Sequence, residues 1–129
     1  MFEKLTMTRF ITYWVPVILY AGLIVFLSSL SSPGVDFITI VPGFDDKIIH
    51  AVEYAVLAIL CYRALRHTTT TQWNYYSPLL SVIAAIVFGI TDEIHQAFVP
   101  LRQPDVWDVL ADGIGATVGV GFWKWKVYS

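Results

Sequence analysis

The sequence predicts an all-α fold, a four-helix transmembrane bundle with both termini cytoplasmic. Three observations predict it. First, the 129 residues are 57% hydrophobic and only 14% charged, whereas a soluble domain carries about a quarter charged residues. Mean hydropathy is +0.64, so lipid is the expected solvent and the bilayer the expected partner. Second, four segments have the length of a span, which needs about 20 mainly apolar residues. Third, if all four cross, Lys4, Arg9, Arg63, Arg66, Lys124 and Lys126 fall on one side, leaving Lys47 and Arg102 on the other. That asymmetry is the positive-inside pattern. A net charge of −2 says little about partners, and no basic run points to nucleic acid, so none is expected. Cys61 stands alone, so no internal disulfide forms. The chain reads as one domain over residues 1–129.

The first helix is placed at about 11–30. The uncharged run Phe10 to Ser32 is too long for a signal-peptide core of about 7–15 residues, so it reads as a retained span. Pro16 falls in its first turns, where a missing N–H costs least. Ser31-Ser32-Pro33-Gly34 stops it, and a loop from Val35 to Phe44 follows, with Pro42-Gly43 near its end. The second helix is placed at 46–66. Its hydropathy is weak, yet a helix of that length spans about 31 Å against a hydrocarbon core of about 30 Å. His67 to Asn74 reads as a polar loop. The third helix is placed at 77–97, with Ser77-Pro78 as cap and first-turn proline. The fourth is placed at 105–125, where Asp105-Val106-Trp107-Asp108 resembles a capping box.

Helical periodicity sets the polar residues on shared faces. Asp46, His50 and Glu53 fall within about 60° on the second helix, with Tyr54 on the flank. Asp92, Glu93 and Gln96 cover about 100° on the third, on the side of Gly89. Asp105, Asp108 and Asp112 line up with Gly115 and Gly119 on the fourth. Gly115-x-x-x-Gly119 lets helix backbones approach closely. The acids continue that packing stripe and so are expected to face protein. All three sets occupy the same half of the bundle, and with cytoplasmic termini that half is the outer one. An Asp at mid-membrane costs about 2.5–3.5 kcal/mol on insertion scales. Asp46, Glu53, Asp92, Glu93, Asp105, Asp108 and Asp112 face only Lys47 and Arg102 as fixed cations, with His50 and His95 able to add charge. That imbalance calls for raised pKa values, an external cation, or contact with water.

Four fragments in order carry a family resemblance: Phe26-Leu27-Ser28-Ser29; Asp46-Lys47-x-x-His50-x-x-x-Tyr54; Asp92-Glu93-x-x-Gln96-x-Phe98-Val99-Pro100-x-Arg102; and Asp108-x-x-x-Asp112-x-x-Gly115-Ala116-x-x-Gly119. Together they resemble the VanZ-like family of small bacterial membrane proteins, over nearly the whole chain. Leu101 departs from that family, which usually has glycine there, and Asp105 stands where a small hydroxyl residue is common. The resemblance implies a four-helix multi-pass protein of the bacterial cytoplasmic membrane. It also implies a cell-envelope setting, because the founding member is linked to low-level teicoplanin resistance. It implies no particular reaction.

Three functions remain open. One is an outward-facing polar pocket that binds a lipid-linked or glycopeptide-type ligand, with Arg102, Gln96, Tyr54, Lys47, Asp108 and Asp112 as ligand-binding residues. Another is a metal-assisted hydrolase or transferase acting on a lipid head group. There Glu93 or Asp92 would be base or ligand, His50 the acid–base partner, and Arg102 an anion clamp. Its metal set would be Glu93, His50 and Glu53, the last two at i, i+3 spacing. Carboxylate-rich ligands favour Mg²⁺, Mn²⁺ or Ca²⁺ as the cofactor. The third is a structural polar core with no ligand, which is expensive in lipid. Adjacent acids at the end of a helix, as at Asp92-Glu93, oppose the helix dipole and so have the weakest structural excuse.

Overall fold

The structure, a computed structural model, describes residues 2–29, 44–100 and 104–128. The expected loop around Pro42-Gly43, Arg102 with its neighbour Leu101, and the side chain of Asp46 lie outside the described residues. The described chain is all-helical: α1 (Phe2–Ser28), α2 (Phe44–Thr68), α3 (Thr71–Gln96) and α4 (Val106–Tyr128).

Cross-links between helices fix the up-down-up-down course. Trp14 Nε1, midway along α1, donates to Thr68 Oγ1 at the end of α2 (3.0 Å), and His67 meets Tyr128 at the end of α4 (2.9 Å). At the other end Lys47 of α2 reaches Asp105, just before α4, and Ser28 of α1 reaches Asp92 of α3. α2 is the central element, packed on α1, α3 and α4, while α1 and α3 hardly touch.

Three helices are long and apolar enough to cross a membrane: Thr6–Ser28, Lys47–Thr68 and Thr71–Gln96. α4 falls short of that composition because it carries acids and glycines. Those residues, Asp108, Asp112, Gly115 and Gly119, are buried, while Leu110, Ile114, Val118 and Phe122 face outward. Its outer stripe is therefore as apolar as that of its neighbours. Exposed Ile18 (66%), Leu19 (68%) and Val118 (64%) mark the lipid-facing surface, since a soluble protein exposes few contiguous apolar patches of this kind.

Two helix starts differ from the sequence expectation. α1 begins at Phe2, so Pro16 sits in the helix interior and not in the first turns. Membrane helices tolerate such prolines because neighbouring groups take up the freed carbonyl. α3 begins at Thr71, absorbing half of the stretch read as a loop, while α2 runs on to Thr68 at its other edge, and Pro78 moves inside the helix. The serine before it explains how. Pro78 has no N–H for the Asn74 carbonyl four residues back, and Ser77 Oγ donates to that oxygen instead at 2.7 Å. Ser77-Pro78 is thus an internal repair and not a helix start.

Candidate functional site

The start of α2, the end of α3 and the start of α4 meet at one end of the bundle. Helix packing brings them there. A Cβ at Gly115 would lie 2.0 Å from the Ala51 carbonyl oxygen, and one at Gly119 would lie 2.9 Å from Ala55 Cβ. Only glycine allows α4 this close to α2. The close approach sets Asp112 and Asp108, one and two turns before Gly115, beside His50 one residue before Ala51. Gly89 on α3 makes the matching space on the other side, because a Cβ there would meet Asp112 Oδ2 at 2.7 Å.

His50 Nδ1 lies 3.0 Å from Asp112 Oδ1, and its Nε2 faces Asp108 Oδ2 at 3.6 Å. Asp108 Oδ1 is bound by Lys47, which also holds Asp105 Oδ2 at 2.7 Å. Glu93 Oε2 accepts the Asp105 backbone N–H at 2.9 Å, and Glu93 Oε1 is buried with no hydrogen-bond partner among the described residues. His50, Glu93, Asp108 and Asp112 are all buried, while Lys47 and Asp105 form the rim, with side chains 31% and 41% exposed.

Asp105 has two tasks. Its Oδ1 accepts the Trp107 N–H at 3.0 Å and caps α4, and its other oxygen meets Lys47. The Lys47 hydrogen bond holds the Asp105 carboxyl below the usual carboxylate range, and the Trp107 N–H adds to this. A carboxyl lowered on folding contributes stability that is complete above its unfolded pKa of about 3.9. That contribution is lost as pH falls through the lower folded value. Lys47→Met should therefore narrow the difference between melting temperatures at pH 6 and at acid pH. An unchanged difference in detergent-solubilised protein would show that the clamp does nothing.

Of the residues singled out from the sequence, His50, Glu93, Asp108, Asp112 and Lys47 come together. Asp92 is buried beside them but engaged elsewhere: Oδ1 accepts from Ser28 Oγ at 2.6 Å and Oδ2 from the Tyr54 hydroxyl at 3.3 Å. It ties α1, α2 and α3, and Tyr54 is the fully buried middle of that tie. Gln96 is buried one turn beyond Asp92. Glu53 is half-buried and interacts electrostatically with Tyr20 of α1 and with Tyr54. The grouping of His50 and Glu93 with a third possible ligand runs through Asp108 and not through Glu53. The i, i+3 spacing put Glu53 and His50 on one helix face, but the third possible ligand comes from another helix. His95 is exposed and its Nε2 meets Ser29 Oγ at 2.9 Å.

Sequence reasoning missed two contacts. Ser28 is Asp92's closest partner, and the Asp105 backbone reaches Glu93. The first had a signal: hydroxyl residues ending an apolar helix at the level of other polar sets. The second had none, because a backbone N–H carries no residue code.

Chemically, the cluster offers one buried carboxylate oxygen, one imidazole with an oriented ring, and a lysine-bound aspartate. It can hold a cation or exchange a proton with a bound group. A shallow apolar groove of about 510 Å³ lies alongside, lined by Ile86 of α3 and Val109, Leu110, Ile114 and Val118 of α4.

No curated protein and no solved structure matches the chain. The family model described as VanZ/LLP1 matches residues 10–127. The match takes in all three helices that build the cluster, and the chain belongs to the VanZ-like family.

Proposed function

We propose that this membrane protein binds, at its polar end, a lipid-linked or glycopeptide-type ligand of the bacterial cell envelope. The observation that carries this reading is the burial of His50, Glu93, Asp108 and Asp112 from three helices at one end, with Glu93 Oε1 unmatched among the described residues. Intramembrane ionisable residues of this kind mark a ligand or ion path by default. The apolar groove supports a lipid-bearing ligand, because Val109 and Leu110 sit at the height of Asp108. An acyl chain there would bring its head group to the rim formed by Lys47 and Asp105. The positive-inside pattern supports cytoplasmic termini, which put this rim on the outer face, and it supports residence in the cytoplasmic membrane. Arg102 would meet the anionic part of the ligand.

Mass spectrometry of lipids co-purifying with the protein tests this reading. A lipid-linked envelope species should be enriched over an unrelated membrane protein and lost in Glu93→Gln and Arg102→Ala. A lipid profile identical in all three samples would contradict it. Hydrolysis or group transfer is the second reading, favoured by the unmatched Glu93 oxygen beside His50. It expects the retained species to be consumed with time by the wild type and preserved by Glu93→Gln.

A further inference from the structure

Glu93 is 8% exposed, with one oxygen satisfied by Asp105 and the other buried without a partner among the described residues. A buried carboxylate oxygen needs a proton or a cation. Its surroundings favour a cation. A His50 ring nitrogen, a Glu93 carboxylate oxygen and an Asp108 carboxylate oxygen all lie within 4.8 Å of one another. Oxygen ligands held at about 2.3–2.6 Å from an ion stand at most about 5 Å apart across it, so the three atoms fit around one centre.

The neighbours are arranged to match. Asp112 Oδ1 holds His50 Nδ1 at 3.0 Å, which directs Nε2 toward Asp108 Oδ2, at 3.6 Å too far for a hydrogen bond. A carboxylate that holds the far nitrogen of a ligand histidine fixes its tautomer and raises its basicity. Lys47 engages the opposite oxygen of Asp108, so each oxygen has a separate task. The charges point the same way. Glu93, Asp108 and Asp112 are three buried acids, Lys47 is shared between Asp108 and the rim residue Asp105, and a ligating histidine is neutral.

We infer that His50, Glu93 and Asp108 bind one divalent cation, with Asp112 as the positioning residue for His50. One imidazole with two carboxylates suits Mn²⁺ among common divalent ions, since imidazole favours transition metals and carboxylates favour hard ones. The site shares the polar end with the proposed ligand but does not need that ligand, so the two proposals fail separately.

The test uses the full chain in detergent, stripped with EDTA, dialysed against Mn²⁺, and measured by elemental analysis and electron paramagnetic resonance. One tightly held Mn²⁺ per chain is expected, with nitrogen hyperfine modulation from a bound imidazole. Glu93→Gln should weaken binding at least about tenfold. Asp112→Asn should weaken it about 10–100-fold, the range for outer-shell partners, while keeping the nitrogen modulation. A purely structural Asp112 would leave the affinity unmoved in protein that stays folded. His50→Asn should remove the modulation. The wild-type spectrum decides the matter even if that variant does not fold. Mn²⁺ no higher than in a Lys124→Ala sample washed without metal would overturn the inference. So would unchanged affinity in Glu93→Gln, or a spectrum without nitrogen modulation. Lipid retained by wild type that takes up no Mn²⁺ on dialysis would overturn the cation site and leave the proposed function standing. Mn²⁺ bound with no lipid retained would support the cation and sink the ligand.

Discussion

Gly115→Ala is expected to destabilise the protein by about 1–3 kcal/mol, the range for overpacking a tight contact. The sign is the informative part. In an ordinary helix, replacing glycine by alanine gains up to about 1 kcal/mol. Here the new Cβ would lie 2.0 Å from the Ala51 carbonyl oxygen and 2.6 Å from its carbon. These are backbone atoms, so no side chain can swing away, and α2 and α4 must separate. The same contact sets the depth of Asp108 and Asp112 against His50, so separation should also weaken Mn²⁺ binding. Gly121→Ala is the control, because a Cβ there meets nothing within 4 Å. It should be neutral or slightly stabilising. Thermal unfolding followed by circular dichroism in a mild detergent separates the two. Equal melting temperatures for both variants would mean that the helices are not so closely packed.

Asp112→Ala is expected to have the larger effect, about 3–5 kcal/mol, as when one member of a buried charged pair is removed. Asp112 is 1% exposed, its Oδ1 meets His50 Nδ1, and its Oδ2 fills the space left by Gly89. Truncation strands His50 in a buried setting and opens a void between α3 and α4. Asp112→Asn keeps an oxygen for the ring and should cost much less. A small loss for Asp112→Ala, equal to that for Asp112→Asn, would mean that water replaces the carboxylate freely and the end is not sealed.

Much of this architecture was legible in the residues. The four apolar segments gave the helix count, because chain length per span is fixed by bilayer thickness. Asp108, Asp112, Gly115 and Gly119 gave one face of α4 by periodicity alone, and that face is the buried one. Pro16 and Pro78 misled the helix starts. A proline reads as a boundary unless a neighbour such as Ser77 satisfies the carbonyl it abandons, and that exchange is visible only in three dimensions. Glu53 shows the limit of helical wheels. It shares a face with His50, yet the third possible ligand beside His50 and Glu93 is Asp108 of α4. Asp92 and Glu93 are adjacent in sequence yet have separate tasks, a hydroxyl-satisfied tie and an unmatched acceptor. That division follows from Ser28 and Tyr54, which no spacing rule assigns to one of the two acids.

The central claim is that acids of α3 and α4 and the histidine of α2 form one interacting unit. A double-mutant cycle on unfolding free energy, with His50→Asn, Asp112→Ala and the pair, measures this directly. Contacting partners are expected to couple by about 0.5–3 kcal/mol. Losses that add to within about 0.3–0.5 kcal/mol, as for sites without shared partners, would place the two side chains apart and contradict the account.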